Sequence, residues 1–150
     1  RSKDMQHGID TEQEALNAYE AATGEIVTRV GFVSHDTLMA GCSPDGCVGA
    51  WEGAIELKCP GSMAHLEYVK ANEIPEEYRG QVIHTLWLTG VPWVDFCSYD
   101  PRYPEDMRLF RKRLERHEVD LTAYQLALEL FLSEVDKEVA ALRPQEEVVF

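Results

Sequence analysis

Residues 41–60, GCSPDGCVGAWEGAIELKCP, gather two carboxylates and an ammonium in one short stretch: Asp45, then Glu56 eleven residues later, then Lys58. Pro44-Asp45-Gly46 carries turn or bulge chemistry, and CVGAWEGAIELKC reads as a β-hairpin turning near Trp51, Glu52 and Gly53. Strand side chains alternate faces, so Glu56 and Lys58 point the same way and Leu57 the other. Asp45 ends the preceding strand, where the turn can bring its carboxylate near Glu56. Two carboxylates and the Leu57 main-chain carbonyl make a hard oxygen donor set suited to Mg²⁺ or Mn²⁺. Such a cation lowers the pKa of a bound water and neutralises charge on a phosphate. Lys58 beside it would position the attacking water and offset developing negative charge. The predicted chemistry is phosphodiester hydrolysis. The competing reading is two strand ends with ordinary surface charges, since Glu-x-Lys after an Asp arises by chance in many acidic chains. Against it, these charges sit beside Ile55, Leu57 and Cys59 in a strand that otherwise looks like core, where unpaired charge is costly.

Several elements must hold that stretch. Residues 10–23, DTEQEALNAYEAAT, read as a first helix with a capping box at Thr11 and Glu14 and Gly24 just past its end. Its inward stripe would be Ala15, Leu16, Tyr19, Ala22 and Thr23, with Glu12 on the same stripe. Spacing alone favours a Glu12 that complements the helix dipole, the alternative being a carboxylate aimed inward toward a cation. EIVTRVGFVS and LMAGCS read as strands joined at His35-Asp36-Thr37. Ser62 would cap a short helix over 62–71, and Pro75 suits the first turn of another that runs to Gly90. On that second helix Gln81 shares a face with Tyr78, Val82 and Thr85. WVDFCSYD and RLFRKRLERHE read as strands. A closing helix from about Val119 to Leu142 carries the stripe Leu121, Tyr124, Leu128, Phe131, Val135, Val139 and Leu142. This order predicts an α/β (α+β) chain: a central mixed sheet flanked by helices, forming a single domain over residues 1–150.

The ordered motifs GIDTEQEALNAYEAATG, GCSPDG, IELKCP, YRGQVIHTLWLTG and SYDPR resemble the phage-type alkaline exonucleases of the PD-(D/E)xK superfamily, the group of lambda exonuclease and the YqaJ-like viral recombinases. The resemblance spans nearly the whole chain and implies a restriction-endonuclease-like core. It implies Asp45 and Glu56 as metal ligands and Lys58 as the catalytic lysine. Glu12 becomes a helix-borne acid near the metal, and Gln81 a glutamine sent toward the site. The family often carries Gln-x-Gln where this chain has Gln81-Val82-Ile83. The implied activity is a Mg²⁺-dependent exodeoxyribonuclease that digests one strand of linear duplex DNA from its end. The implied direction is 5′ to 3′, leaving 3′ overhangs and mononucleotides. A ring-shaped homo-trimer and a single-strand annealing partner are implied for recombination. The family's upstream basic residue that reads a 5′ phosphate has no counterpart here, which predicts a segment before Arg1.

Composition bounds the alternatives. A net charge of −13 over 150 residues argues against bulk electrostatic coating of DNA, so a nuclease would need a local basic strip. The densest is Arg108, Arg111, Lys112, Arg113 and Arg116, in which Arg111 and Arg113 share one strand face. Their readings are DNA-backbone contact or an edge strand guarded by charge. A hairpin-tip Trp51 suits strand separation or partner binding. Cys42, Cys47, Cys59 and Cys97 include no Cys-x-x-Cys pair, so free buried thiols in a reducing cytoplasm are expected rather than a zinc ribbon. That compartment would be a bacterial host's if the chain is phage-encoded. No apolar run is long enough for a membrane span. Two further functions compete: a PD-(D/E)xK endonuclease, and a non-enzymatic acidic interaction module.

Overall fold

The core strand β5 (Gly53–Lys58) is buried along almost its full length, so it needs an apolar layer on each face. The computed structural model describes residues 3–143. The chain runs α1 (Lys3–Thr23), β1 (Val27–Thr28), β2 (Val33–Ser34), β3 (Gly41–Cys42), β4 (Gly46–Val48), β5, α2 (Ser62–Ala71), α3 (Glu76–Thr89), β6 (Trp93–Tyr99), β7 (Leu109–Glu115) and α4 (Leu121–Leu142). The main sheet has the order β1-β4-β5-β6-β7. β5 and β6 pair in parallel and the other neighbours antiparallel, so the sheet is mixed. α2 and α3 form the crossover between the two parallel strands, as parallel pairing requires.

Period-two alternation sorts the strands onto two layers. Ala54, Val94, Phe96, Phe110 and Leu114 pack with Tyr68 of α2 and with Val82 and Leu86 of α3. Ile55, Leu57, Cys97 and Tyr99 pack with Ala15, Leu16 and Tyr19 of α1. Each fully buried aliphatic side chain here is worth about 1.5–3 kcal/mol, which makes β5 a rigid platform. Gly53 is demanded by this packing, because a Cβ there would lie 2.3 Å from the Trp93 ring. α3 ends at Gly90 with φ 74, the left-handed cap that glycine adopts without steric cost.

The expected elements are present, with several differences. α1 is already helical at Lys3, so Thr11 lies inside the helix and is no N-cap; the Gln6 side chain donates to Asp10 across one turn. Gly24 ends that helix as expected, donating its N–H to Glu20 O at 2.8 Å. Ala22 is exposed rather than part of the buried stripe. The segment expected as one strand splits: β1 joins the main sheet, whereas β2 pairs with β3 in a separate hairpin. Gly31 falls between them, where glycine weakens a continuous strand. Ser62 begins α2 instead of capping it, because its hydroxyl donates to Asp100 Oδ2 at 2.7 Å. Pro75 sits one residue before α3, at the cap.

α4 departs most from its stripe. Its first turns dock on α3 through Tyr124 to His84 and through Trp87 Nε1 donating to Gln125. Beyond them Phe131, Val135, Val139 and Leu142 are exposed, as are the off-stripe Leu126 and Leu130. Sequence periodicity detects the apolar face but not whether a partner covers it. All four cysteines are free; Cys47 and Cys97 are buried, Cys42 is half-buried and Cys59 is exposed. Among the described residues no helix is long and apolar enough to cross a membrane.

Candidate active site

Asp45 joins the end of β5 through its main chain and its side chain together. Its N–H donates to Ile55 O at 3.0 Å, and its Oδ2 accepts the Leu57 N–H at 2.7 Å. The turn before β4 therefore clamps the carboxylate onto the strand that carries Glu56 and Lys58. Asp45 and Leu57 line a cleft of ≈ 210 Å³ together with Glu12, Leu16, Arg29 and Ser43. Glu12 faces that cleft from α1 while half-exposed, and its Oε2 lies 3.9 Å from Arg29 Nη1.

Glu56 is 2% exposed. Its Oε1 accepts the Thr85 hydroxyl at 2.8 Å, whereas Oε2 is buried with no hydrogen-bond partner. An orphaned buried carboxylate oxygen is costly unless a proton or a cation completes it. Lys58 lies on the same strand face, its Nζ 4.9 Å from the centre of the Tyr78 ring on α3. Gln81 sits on α3 between Tyr78, which meets Lys58, and Thr85, which meets Glu56. It is exposed, so it is no buried core amide.

The residue types suit a hard divalent cation: Asp45 and Glu12 open on one cleft, and Glu56, which does not line it, holds an orphaned carboxylate oxygen. Among the described residues no three acidic, histidine or cysteine side chains close on one point. Partly buried Asp45 and buried Glu56 titrate accordingly. Burial pushes Asp45 above its usual range, opposed by the Leu57 N–H and by Lys58. Burial pushes Glu56 up to about 7, with Asp45 adding to the rise and Thr85 and Lys58 opposing it.

The folded chain thus holds a proton on Glu56 at pH values where the unfolded chain, with a carboxyl near 4.3, has lost it. Stability of the metal-free protein must fall as pH rises from about 4.3 to 7. Thermal unfolding should show a melting temperature that decreases between pH 5 and pH 8. Glu56→Gln should flatten that slope and raise the melting temperature at pH 8; an unchanged slope would contradict the assignment.

The remaining candidates fall elsewhere. Arg111 and Arg113 do share a face, but they turn toward the fully buried Asp95. Arg113 donates twice to it, at 2.8 and 3.1 Å, and Arg111 Nη1 lies 3.5 Å away. Tyr19 O–H completes the cluster at 2.7 Å, and the Arg113 guanidinium stacks 3.5 Å from the Trp93 ring centre. β7 is an edge of the sheet, as the guarded-edge reading expected. Trp51 tips the β4–β5 hairpin with φ 63, a strained conformation for a bulky residue, and is 39% exposed. It lies in the turn that leads into β5, at the opposite end of that strand from Lys58.

Sequence reasoning missed Thr85, Arg29 and the Asp95 cluster, because each acts through a partner distant in sequence. Of the SYDPR motif, Asp100 is buried and tied to Arg102 through three hydrogen bonds and to Ser62 through one. Burial alone would raise its carboxyl, but those bonds outweigh it and hold it at about 2. The motif locks the end of β6 to the start of α2.

Comparison with known proteins agrees with this geometry. Residues 1–92 match the YqaJ-like viral recombinase domain. The fold is similar to the crystal structure of an alkaline exonuclease, LHK-Exo, from Laribacter hongkongensis. The TM-score is 0.69 at 39% identity, covering 93% of this chain and 75% of that one. LHK-Exo in complex with dAMP gives 0.70 at 38% identity, covering 95% and 77%. A phage-related exonuclease from Haemophilus somnus shares the fold alone, with a TM-score of 0.56 at 15% identity over 90% of this chain and 73% of that one. No curated protein matches. With its motifs in order on this mixed sheet, the chain belongs to the YqaJ-like viral recombinase domain family, among the phage-type alkaline exonucleases.

Proposed function

We propose that this chain is a Mg²⁺-dependent exodeoxyribonuclease that digests one strand of linear duplex DNA from its end. Family membership makes it a nuclease acting in recombination. The observation that carries the finer reading is the orphaned Glu56 Oε2, on a strand that also carries Lys58 and is clamped by Asp45 through Leu57, with both charges felt by Glu56. Asp45 and Glu56, with the Leu57 carbonyl and Glu12, would hold the cation. When bound, it supplies charge neutralisation at the scissile phosphate and a more acidic water. Lys58 holds an ammonium beside the reacting phosphate, orients the attacking water and offsets charge on the phosphoryl oxygens. Water adds to phosphorus, the bond from phosphorus to O3′ breaks, and the released nucleotide keeps its 5′ phosphate. The dAMP bound to LHK-Exo supports a mononucleotide product.

Digestion from 5′ to 3′ would leave 3′ overhangs for a single-strand annealing partner. A homo-trimeric ring suits an acidic subunit moving on DNA, since closure retains the duplex without bulk attraction, and the exposed apolar face of α4 would serve its subunit contacts. The test incubates the protein and Mg²⁺ with linear duplex, with and without 5′ phosphate, and with supercoiled circles. Mononucleotide release from linear DNA with circles intact is expected. Nicked or linearised circles would replace the exonuclease by an endonuclease. No cleavage with Mg²⁺ or Mn²⁺ would leave the acidic interaction module.

A further inference from the structure

Thr85 is 1% exposed, and its hydroxyl serves a purpose unusual for a helical threonine. In a helix that group ordinarily back-bonds to the carbonyl four residues earlier. Thr89, one turn on, does so, donating to Thr85 O at 2.6 Å. Thr85 instead turns across to β5 and donates to Glu56 Oε1 at 2.8 Å. The helix around it has little freedom. Val82 and Leu86 are fully buried, and His84 bridges Gly41 O on the β2–β3 hairpin and the Tyr124 hydroxyl of α4. A β-branched side chain with few χ1 states on so fixed a helix holds its hydroxyl at a set point.

The consequence falls on Glu56. One carboxylate oxygen is occupied by Thr85 and the other is left without a partner. We propose that Thr85 is a positioning residue: it commits Oε1 and so orients Oε2 as the single oxygen that Glu56 offers a divalent cation. This rests on the metal-dependent reading above. Neighbours that orient a ligating carboxylate typically govern metal affinity by about 10- to 100-fold.

Calorimetric titration of the metal-free protein with Mn²⁺ tests it, in the parent, Thr85→Val and Thr85→Ser. Valine keeps the volume and removes the donor; serine restores the donor. The Mn²⁺ dissociation constant should rise about 10-fold or more in Thr85→Val and stay within about threefold of the parent in Thr85→Ser. The Mg²⁺ concentration for half-maximal hydrolysis should move in parallel, with the rate at saturating Mg²⁺ largely kept. A folded Thr85→Val that binds Mn²⁺ like the parent overturns the positioning role and leaves the nuclease reading intact. A parent that binds no Mn²⁺ overturns both. If Thr85→Val does not fold, Thr85→Cys makes the same comparison with a weak donor, and parental affinity there counts against the proposal.

Discussion

Asp45→Asn is expected to lower hydrolysis of linear duplex DNA by about 10²- to 10³-fold, the scale of losing one fixed partner of the reacting charge. The asparagine keeps an oxygen that can accept the Leu57 N–H, now 2.7 Å from Oδ2, and the Asp45 N–H still reaches Ile55 O. The clamp on β5 therefore survives while the negative charge does not. Urea denaturation should place the variant within about 1 kcal/mol of the parent, the net worth of one altered hydrogen bond. It should exceed the parent if clustered carboxylate repulsion is the larger effect. Lys58→Ala should match it in activity, because it removes the ammonium that would offset phosphoryl charge, and the fold should survive, since that ammonium sits over the face of the Tyr78 ring rather than in the apolar core. Parental activity in Asp45→Asn would remove the site from the phosphodiesterase reading.

Asp95→Ala is expected to cost about 3–5 kcal/mol of stability, the range for breaking a buried ion pair by removing one partner. Asp95 is fully buried and joins three elements: Tyr19 of α1, Arg113 and Arg111 of β7, and its own β6. Removing it leaves the Tyr19 hydroxyl without its acceptor and two guanidinium groups against an apolar layer. The arginines are only partly buried and can turn toward solvent, which sets the lower end of the range. Equilibrium unfolding in urea measures the loss, and a change below about 1 kcal/mol would show that the cluster does not hold α1 to the sheet. Conservative replacement of Asp45, unlike this one, alters a site group and spares the fold. The pair of variants thus separates chemistry from architecture.

Part of this was readable from one-dimensional pattern. Alternation in IELKC put Glu56 and Lys58 on one face, and the structure places both toward α3. Turn residues around Asp45 and Gly46 marked where β4 begins, and a left-handed glycine ended α1 and α3 as expected. These are local rules, in which neighbours within a few residues decide the outcome. The long strand drawn over residues 25–34 failed because its two halves find partners in different sheets, a choice made by distant residues.

The same division separates the site from its surroundings. The types and spacing of Asp45, Glu56 and Lys58 determined the candidate chemistry, since charge, oxygen donors and strand periodicity are carried by the residues themselves. Tertiary structure decided which atoms are free to act. It gave Glu56 Oε1 to Thr85 from 29 residues away and left Oε2 alone. It drew Arg111 and Arg113 to Asp95, and carried Trp51 to the opposite end of β5. Hydrogen-bond donors and charges compete for partners in space, and a chain read in one dimension does not show which partner wins.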